Sequence, residues 1–287
     1  MKSIGYLGPE GSFSEEALYN FRLLHQEFAP DPISLVAYST IPLLLYACER
    51  GEVDWAFVPI ENSTEGQVVT TTDILGQTEN LLIIREFIHP IEQCLLTKKP
   101  LPLLEIERVL SHEQALGQCR EFLNAHLSHA EQIVCSSTAE AARKISLTNE
   151  KLAAIAPRRS AQVYKLHSQL EAIQDEKQNT TRFIMVGQQL AEMSEKDKTS
   201  LLLKTADTPG SLFNALKVFA DRQINLTRIE SRPSKQKLGE YIFFVDLDGY
   251  VFSPAIQDAL RVLKEDYVLT KLLGSYPKAN VLESLPL

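Results

Sequence analysis

The sequence predicts an α/β protein with two α/β lobes around a cleft, followed by a smaller ferredoxin-like βαββαβ unit. Three observations carry that prediction. Over the first 187 residues, short apolar strands alternate with amphipathic helical patterns, the rhythm of parallel sheets covered by helices on both faces. One long apolar stretch, Leu81 to Thr97, breaks that rhythm and is interrupted by His89-Pro90. A polar segment at 188–198 then separates a differently patterned C-terminal part.

Strand-like runs lie at Ser3–Leu7, Ser34–Tyr38, Asp54–Ile60, Leu81–Glu86, Arg108–Ser111, Gln132–Ser136, Leu152–Ala156 and Arg182–Val186. Ala17, Leu18, Phe21, Leu24 and Phe28 form the apolar stripe of the first helix. Ala115, Leu116, Cys119, Phe122 and Leu123 form the stripe of a later one. Leu81–Thr97 reads as a crossover to the second lobe, and Asn179–Val186 as the return. The first lobe is then residues 1–80 with 180–187, and the second 81–179. A cleft between two such lobes is a common place for a small ligand. The unit at 199–280 opens with a strand at Ser200–Thr205 and a helix carrying Leu212, Phe213, Leu216, Phe219 and Ala220. Strands Asn225–Arg232 and Glu240–Leu247, joined by a lysine-rich turn, follow. A helix with Ile256, Ala259, Leu260 and Leu263 and a strand at Tyr267–Leu273 complete the βαββαβ order.

Composition bounds the function. The 287 residues are 44% hydrophobic, enough for sizeable cores, and carry 37 acidic against 29 basic side chains, a formal charge of −8. That balance leaves no footprint for nucleic acid or an anionic membrane. No apolar run approaches the length of a membrane span, and the N-terminus does not read as a secretory signal. Cys48, Cys94, Cys119 and Cys135 form no C-x-x-C pair and sit in apolar runs, as buried free thiols do in a reducing cytosol. The six histidines lack metal-ligand spacing, and there is no phosphate-loop or nucleophile-elbow motif. No metal and no cofactor are expected.

Four constellations can carry chemistry. In GYLGPEGSFS, Gly5 to Ser14, a glycine-rich loop leads from a strand into a helix, with Ser12 and Glu15 at capping-box spacing. The helix start offers N–H donors to an anion, although ordinary capped turns look the same. In VPIENSTEG, an apolar strand ends at Ile60 and the polar run Glu61, Asn62, Ser63, Thr64 and Glu65 follows, where ligands of α/β sheets bind; a capped loop is the plain alternative. In SHEQALGQC, Ser111 is a candidate N-cap, and Ser111, Gln114 and Gln118 share one polar stripe, with His112 at the helix start. That stripe is either functional or a solvated face. In NTTRF, Thr181 and Arg182 fall at the return crossover, where spacing alone does not decide between function and strand propensity.

Together these segments resemble one family. GPEGSFS, PIENSTEG, SHEQALGQC and TRF match, in order, the signature segments of prephenate dehydratases, and the C-terminal unit resembles an ACT regulatory domain. DTPGSLFNAL and NLTRIESRP resemble its two phenylalanine-binding segments. Many relatives carry Gly-Ala-Leu-Val where this chain has Gly210, Ser211, Leu212 and the bulkier Phe213. The resemblance implies a periplasmic-binding-protein-like catalytic domain converting prephenate to phenylpyruvate, water and carbon dioxide without a cofactor. It implies Thr181, Asn62, Ser111 and Gln118 as catalytic. Ser12, Phe13, Glu61, Ser63, Thr64, His112, Gln114 and Arg182 would contact substrate. Phenylalanine would bind near Gly210–Phe213, Asn225, Leu226 and the run Glu230, Ser231, Arg232 and Pro233. A threonine is a very weak acid, so help to the departing hydroxyl takes the form of a strong hydrogen bond or a relay through water. The small sheet has an exposed edge, and the resemblance to ACT domains, which pair side by side, implies a homodimer or homotetramer. Two alternatives stay open: an arogenate dehydratase and a non-catalytic two-lobed solute binder. A fused chorismate mutase would need a further helical domain before the first strand.

Overall fold

The computed structural model describes residues 2–28, 32–234, 241–266 and 268–279. In the first lobe come β1 (Lys2–Leu7), α1 (Phe13–Leu24), β2 (Ile33–Tyr38), α2 (Ile41–Glu49), β3 (Trp55–Asn62), the short β4 (Gly66–Gln67), α3 (Val69–Gln77) and β5 (Leu82–Pro90). The second lobe holds β6 (Cys94–Thr97), β7 (Arg108–Ser111), α4 (Glu113–Gln118), α5 (Arg120–His126), β8 (Glu131–Val134), α6 (Thr138–Ser146), β9 (Leu152–Ala156), α7 (Arg158–Tyr164) and β10 (His167–Leu170). The chain returns along β11 (Thr180–Gly187). The C-terminal unit is β12 (Asp197–Lys204), α8 (Ser211–Ala220), β13 (Leu226–Pro233), β14 (Tyr241–Asp248), α9 (Pro254–Asp266) and β15 (Val268–Pro277). Its antiparallel order β13-β14-β12-β15 is that of the ferredoxin-like fold. The lysine-rich turn, Glu240, Tyr267 and residue 280 lie outside the described residues.

The lobes form as patterned, with two corrections. Parallel pairing holds for β1 with β2 and β3 and for β7 with β8 and β9, but β6 runs antiparallel to both β9 and β10, and β11 to both β3 and β5. The reason is the return path: a chain coming home along β11 opposes the direction in which it left. Moreover, β5 pairs with β11 over most of its length, so 82–90 belongs to the first lobe rather than opening the second. The crossovers meet beyond that strand. The Ile91 N–H donates to the Asn179 carbonyl at 2.9 Å and the Ile173 N–H to the Gln93 carbonyl at 3.0 Å.

Side-chain burial explains the layers. Phe21 of α1 packs on Phe57, Phe87 and Phe28, and Phe57 stacks on Phe183 at 5.1 Å. Each such ring removed from water stabilises the lobe by roughly 1.5–3 kcal/mol. In the second lobe β9, Leu-Ala-Ala-Ile-Ala, is buried at every residue, as a strand covered on both faces must be. The predicted single helix over 115–123 is instead two, broken at Cys119.

The C-terminal unit is not a tethered bead. Its sheet continues into that of the first lobe where β15 meets β5, at Gly274 opposite Ile83. A Cβ at Gly274 would lie 2.3 Å from the Ile83 carbonyl oxygen, so only glycine permits this approach. One hydrophobic core holds Ile184, Val186, Leu44 and Leu75 of the first lobe together with Leu202, Phe244, Leu273 and Tyr276. The polar segment after β11 is packed too: Tyr250 donates to the Ala191 carbonyl at 2.6 Å, and Gln188 to that of Cys48 at 2.9 Å.

Candidate active site

The strongest convergence lies at the hinge. Asn62 ends β3 and stands opposite Thr181 on β11. Asn62 Nδ2 donates to Thr181 Oγ1 at 2.9 Å, to Asn179 Oδ1 at 2.8 Å and to the Thr180 carbonyl at 3.2 Å. Its Oδ1 accepts the N–H groups of Thr64 and Glu65, both at 2.9 Å. The Asn62 amide is therefore saturated and has little left for a ligand. It positions Thr181 and shapes the loop. Ser63 adds a second lock: its N–H donates to the Thr180 carbonyl and its Oγ accepts the Thr180 N–H, each at 2.9 Å. Thr181 is buried and accepts from Asn62, so its own O–H stays available as a donor.

His89 extends this row. It lies opposite Thr181 on β5, is buried beside Phe87 and Phe183, and its Nε2 is 3.7 Å from Glu16 Oε2 in the first turn of α1. That contact ties the first turn of α1 to the strand beside Thr181. Ser12 is the N-cap as predicted, accepting the Glu15 N–H at 3.3 Å. Glu15 accepts the Gly11 N–H rather than that of Ser12.

The glycine-rich loop also docks on the other lobe. Ser160 donates to the Gly11 carbonyl at 2.6 Å and Tyr164 to that of Glu10 at 2.7 Å. Arg159 pairs with Glu15 at 2.7 Å, and its N–H reaches Glu16 at 3.1 Å. At Gly11, φ is +80°, and a Cβ would press on Ser160 and Tyr164. The glycine thus serves lobe contact.

Between the lobes lies a cleft of about 430 Å³ lined by Thr64, Glu65, Gln114, Gln118, Asp175 and Asn179, with Gly117, Gln174 and Glu176 completing it. Gln118 accepts from Gln93 Nε2 at 3.1 Å. No lysine or arginine lines this cleft, and three carboxylates do. Among the described residues no group of three or more His, Cys, Asp or Glu is placed to hold a metal.

Three predicted site residues, Ser111, Arg182 and Glu61, sit elsewhere. Ser111 has no exposed surface and donates to the Ile155 carbonyl at 2.6 Å; the N-cap of α4 is His112, whose Nδ1 accepts the Gln114 N–H at 3.3 Å. Ser111 belongs to the end of β7, where sheet bonding claims its hydroxyl. Arg182 is the clearer correction. Thr181 lies beside Asn179, at the edge of the cavity and outside its lining. Successive strand residues face opposite ways, so Arg182 points to the face of the sheet opposite Thr181. There it meets Glu86 at 2.7 Å, Asp246 at 2.8 Å and Tyr276 Oη at 3.0 Å, with Glu61 at 3.6 Å. Lys198 joins Glu86 at 2.8 Å, and Arg228 approaches Glu61 at 3.5 Å. Burial pushes the Asp246 carboxyl up, but Arg182, the Ser200 hydroxyl and Lys198 together hold it below the usual carboxylate range. Glu61 likewise faces this cluster rather than the cleft.

Sequence reasoning missed Gln93, Asn179, His89 and Arg159. Asn179 opened a quoted motif; Gln93 is a lone glutamine before an apolar run. Neither signal is specific.

In the C-terminal unit, a cavity of about 330 Å³ is lined by Asp207, Thr208, Gly210, Ser211, Phe213 and Tyr241, among others, including Leu212. Phe213 is 67% exposed. Arg232 and Pro233 line a different cavity, of about 370 Å³, against α3, where Arg232 is 3.9 Å from Asp73. Glu230 is half-buried and Ser231 exposed on β13, while Asn225 donates to Asp248 at 3.1 Å beside the partly buried Leu226. The two segments thus line separate cavities within one chain.

The sequence profile of prephenate dehydratase matches residues 4–191, and that of the ACT domain residues 199–264. A bifunctional chorismate mutase/prephenate dehydratase of Aquifex aeolicus is 38% identical over 280 residues, covering 98% of this chain and 75% of its own. A prephenate dehydratase of Amycolatopsis methanolica is 37% identical over 283 residues, covering 98% and 90%. The crystal structure of a prephenate dehydratase from Arthrobacter aurescens in complex with L-Phe superposes with a TM-score of 0.84 at 34% identity, covering 99% of this chain and 92% of that one.

Proposed function

The chain belongs to the prephenate dehydratase family, and on that premise we propose that its hinge cleft converts prephenate to phenylpyruvate, water and carbon dioxide, with phenylalanine acting through the C-terminal unit. The observation that carries the proposal is the Asn62–Thr181 hydrogen bond at 2.9 Å. As one carboxylate leaves as carbon dioxide, its bonding electrons move into the ring and expel the hydroxyl. Thr181 donates its O–H to that departing oxygen. Accepting an N–H from Asn62 polarises the hydroxyl and strengthens it as a donor, so full proton transfer from a weak acid is not required. With no cation lining the cavity, the Gln114 and Gln118 amides there hold a substrate carboxylate as neutral donors, and the N–H groups at the start of α1, outside that lining, are the donors for the other. Orientation in a closed site supplies the rest of the acceleration.

The test is phenylpyruvate formation by Thr181→Ala, with arogenate run alongside prephenate. We expect a loss of about a hundredfold or more in kcat with unchanged melting. Near-normal turnover in the folded variant would remove Thr181 from the chemistry.

Phenylalanine sensing is supported by the cavity at Gly210–Phe213 and by the separation of the second segment from it. A second copy paired along the β13 edge, where Ile229 is 43% exposed, would bring one chain's first segment to the other's second. Calorimetry with phenylalanine, read with oligomer size, tests both; no heat and no kinetic change reject the sensor. Four buried free cysteines agree with a cytosolic setting.

A further inference from the structure

We propose that Gln93 is a positioning residue of the cleft, fixing the Gln118 amide so that its NH₂ group, not its carbonyl, faces the substrate. This rests on the reading of the cleft as the prephenate site.

Gln93 lies between β5 and β6, where the crossovers meet, and is 2% exposed. Its backbone is held on both sides. The N–H donates to Gln174 Oε1 at 2.9 Å, and the carbonyl accepts the Ile173 N–H at 3.0 Å. From that fixed base its Nε2 donates to Gln118 Oε1 at 3.1 Å. Gln118 is itself tethered, because its backbone carbonyl accepts the Asp175 N–H at 2.7 Å.

A primary amide has a donor end and an acceptor end. With its oxygen engaged by Gln93, Gln118 turns its nitrogen to the cleft. The reverse arrangement, with both amides turned, would leave the two Gln93 N–H donors buried without an acceptor. As placed, Gln93 Oε1 is the amide atom left with no partner while Nε2 keeps one acceptor, and an under-satisfied buried carbonyl is better tolerated than a nitrogen with both N–H groups orphaned. The orientation matters because Glu65, Asp175 and Glu176 line the cleft without a cation. A dianion entering there depends on neutral donors, and a carbonyl in place of the Gln118 NH₂ would repel it.

The experiment measures KM and kcat for prephenate in Gln93→Met and Gln93→Glu, and repeats Gln93→Met in a Gln118→Leu background. Gln93→Met removes the donor at similar length and is expected to raise KM about tenfold, the size of one hydrogen bond to a charged group, with kcat nearly unchanged. Gln93→Glu is expected to raise KM further, since a carboxylate accepts from Gln118 and turns its carbonyl towards the substrate. In the Gln118→Leu background Gln93→Met is expected to add nothing. An unchanged KM in Gln93→Met, or effects of the two substitutions that multiply, would overturn the proposal and leave Gln93 a packing residue. Normal kinetics in Gln118→Leu alone would sink the underlying reading of the cleft, and this proposal with it. Should Gln93→Met fail to fold, Gln93→Asn, smaller and too short to reach Gln118, gives the same readout.

Discussion

Replacing Arg182 by methionine is expected to destabilise the protein by about 3–5 kcal/mol at neutral pH, the range for removing one partner of a buried ion pair. The guanidinium side chain is 11% exposed, and its partners Glu86 and Asp246 are 3% and 7% exposed. Glu86 keeps Lys198 at 2.8 Å, so the group left uncompensated is Asp246, with only Ser200 and more distant cations. The pH dependence gives a sharper test. In the wild type the Asp246 pKa is depressed, so its contribution is fully present above the unfolded carboxylate value of about 3.9 and is lost only as pH falls through the lower folded value. Without Arg182, burial dominates and the folded pKa rises. The variant then loses stability as pH climbs through that raised value. The penalty should be largest near pH 7 and shrink on acidification below about pH 5. Urea unfolding followed by the fluorescence of Trp55, the single tryptophan, reads it directly. A penalty under about 1 kcal/mol, or one that is flat with pH, would refute the reasoning.

Gly274→Ala places a methyl against Ile83 backbone and should lower stability by about 1–3 kcal/mol in thermal melts; an unchanged Tm would mean the sheet junction is not tight. The acidic lining predicts that Glu176→Gln, or a rise in salt, lowers KM for prephenate a few-fold, since exposed like charges repel weakly and are screened. A KM indifferent to both would place the dianion away from Glu176. The thiols of Cys48, Cys94 and Cys119 are pushed up to about 12 by burial. Native protein should therefore resist a disulfide reagent at pH 8 and react with it in urea; fast native labelling of these three would contradict their burial.

Much of the fold was legible because it is local. Apolar period and turn residues mark each strand, and the βαββαβ order of the last unit is written in its spacing. The hinge pair was legible as two motifs, Asn62 and Thr181, though not as a bond. Arg182 was misplaced although alternation along a strand already forbade it from sharing a face of the sheet with Thr181. Ser111 looked like a cap because its residue type suits that role; a carbonyl from β9, distant in sequence, claimed it. The Arg159–Glu15 pair spans 144 residues, and no periodicity reports such a meeting. Gln93 escaped notice because a single amide before an apolar run has no pattern, and its meaning comes only from its neighbours.

The shared core of Leu202, Phe244, Leu273 and Tyr276 with the first lobe bears on how such an enzyme could be uncoupled from its effector. Truncation after β11 would do more than remove a regulator. It would uncover the back of the hinge sheet, leaving Arg182 and Glu86 facing water and a greasy surface exposed. A loss of phenylalanine response that keeps turnover must come from subtler changes, made at the effector's own pocket while the shared core stays intact.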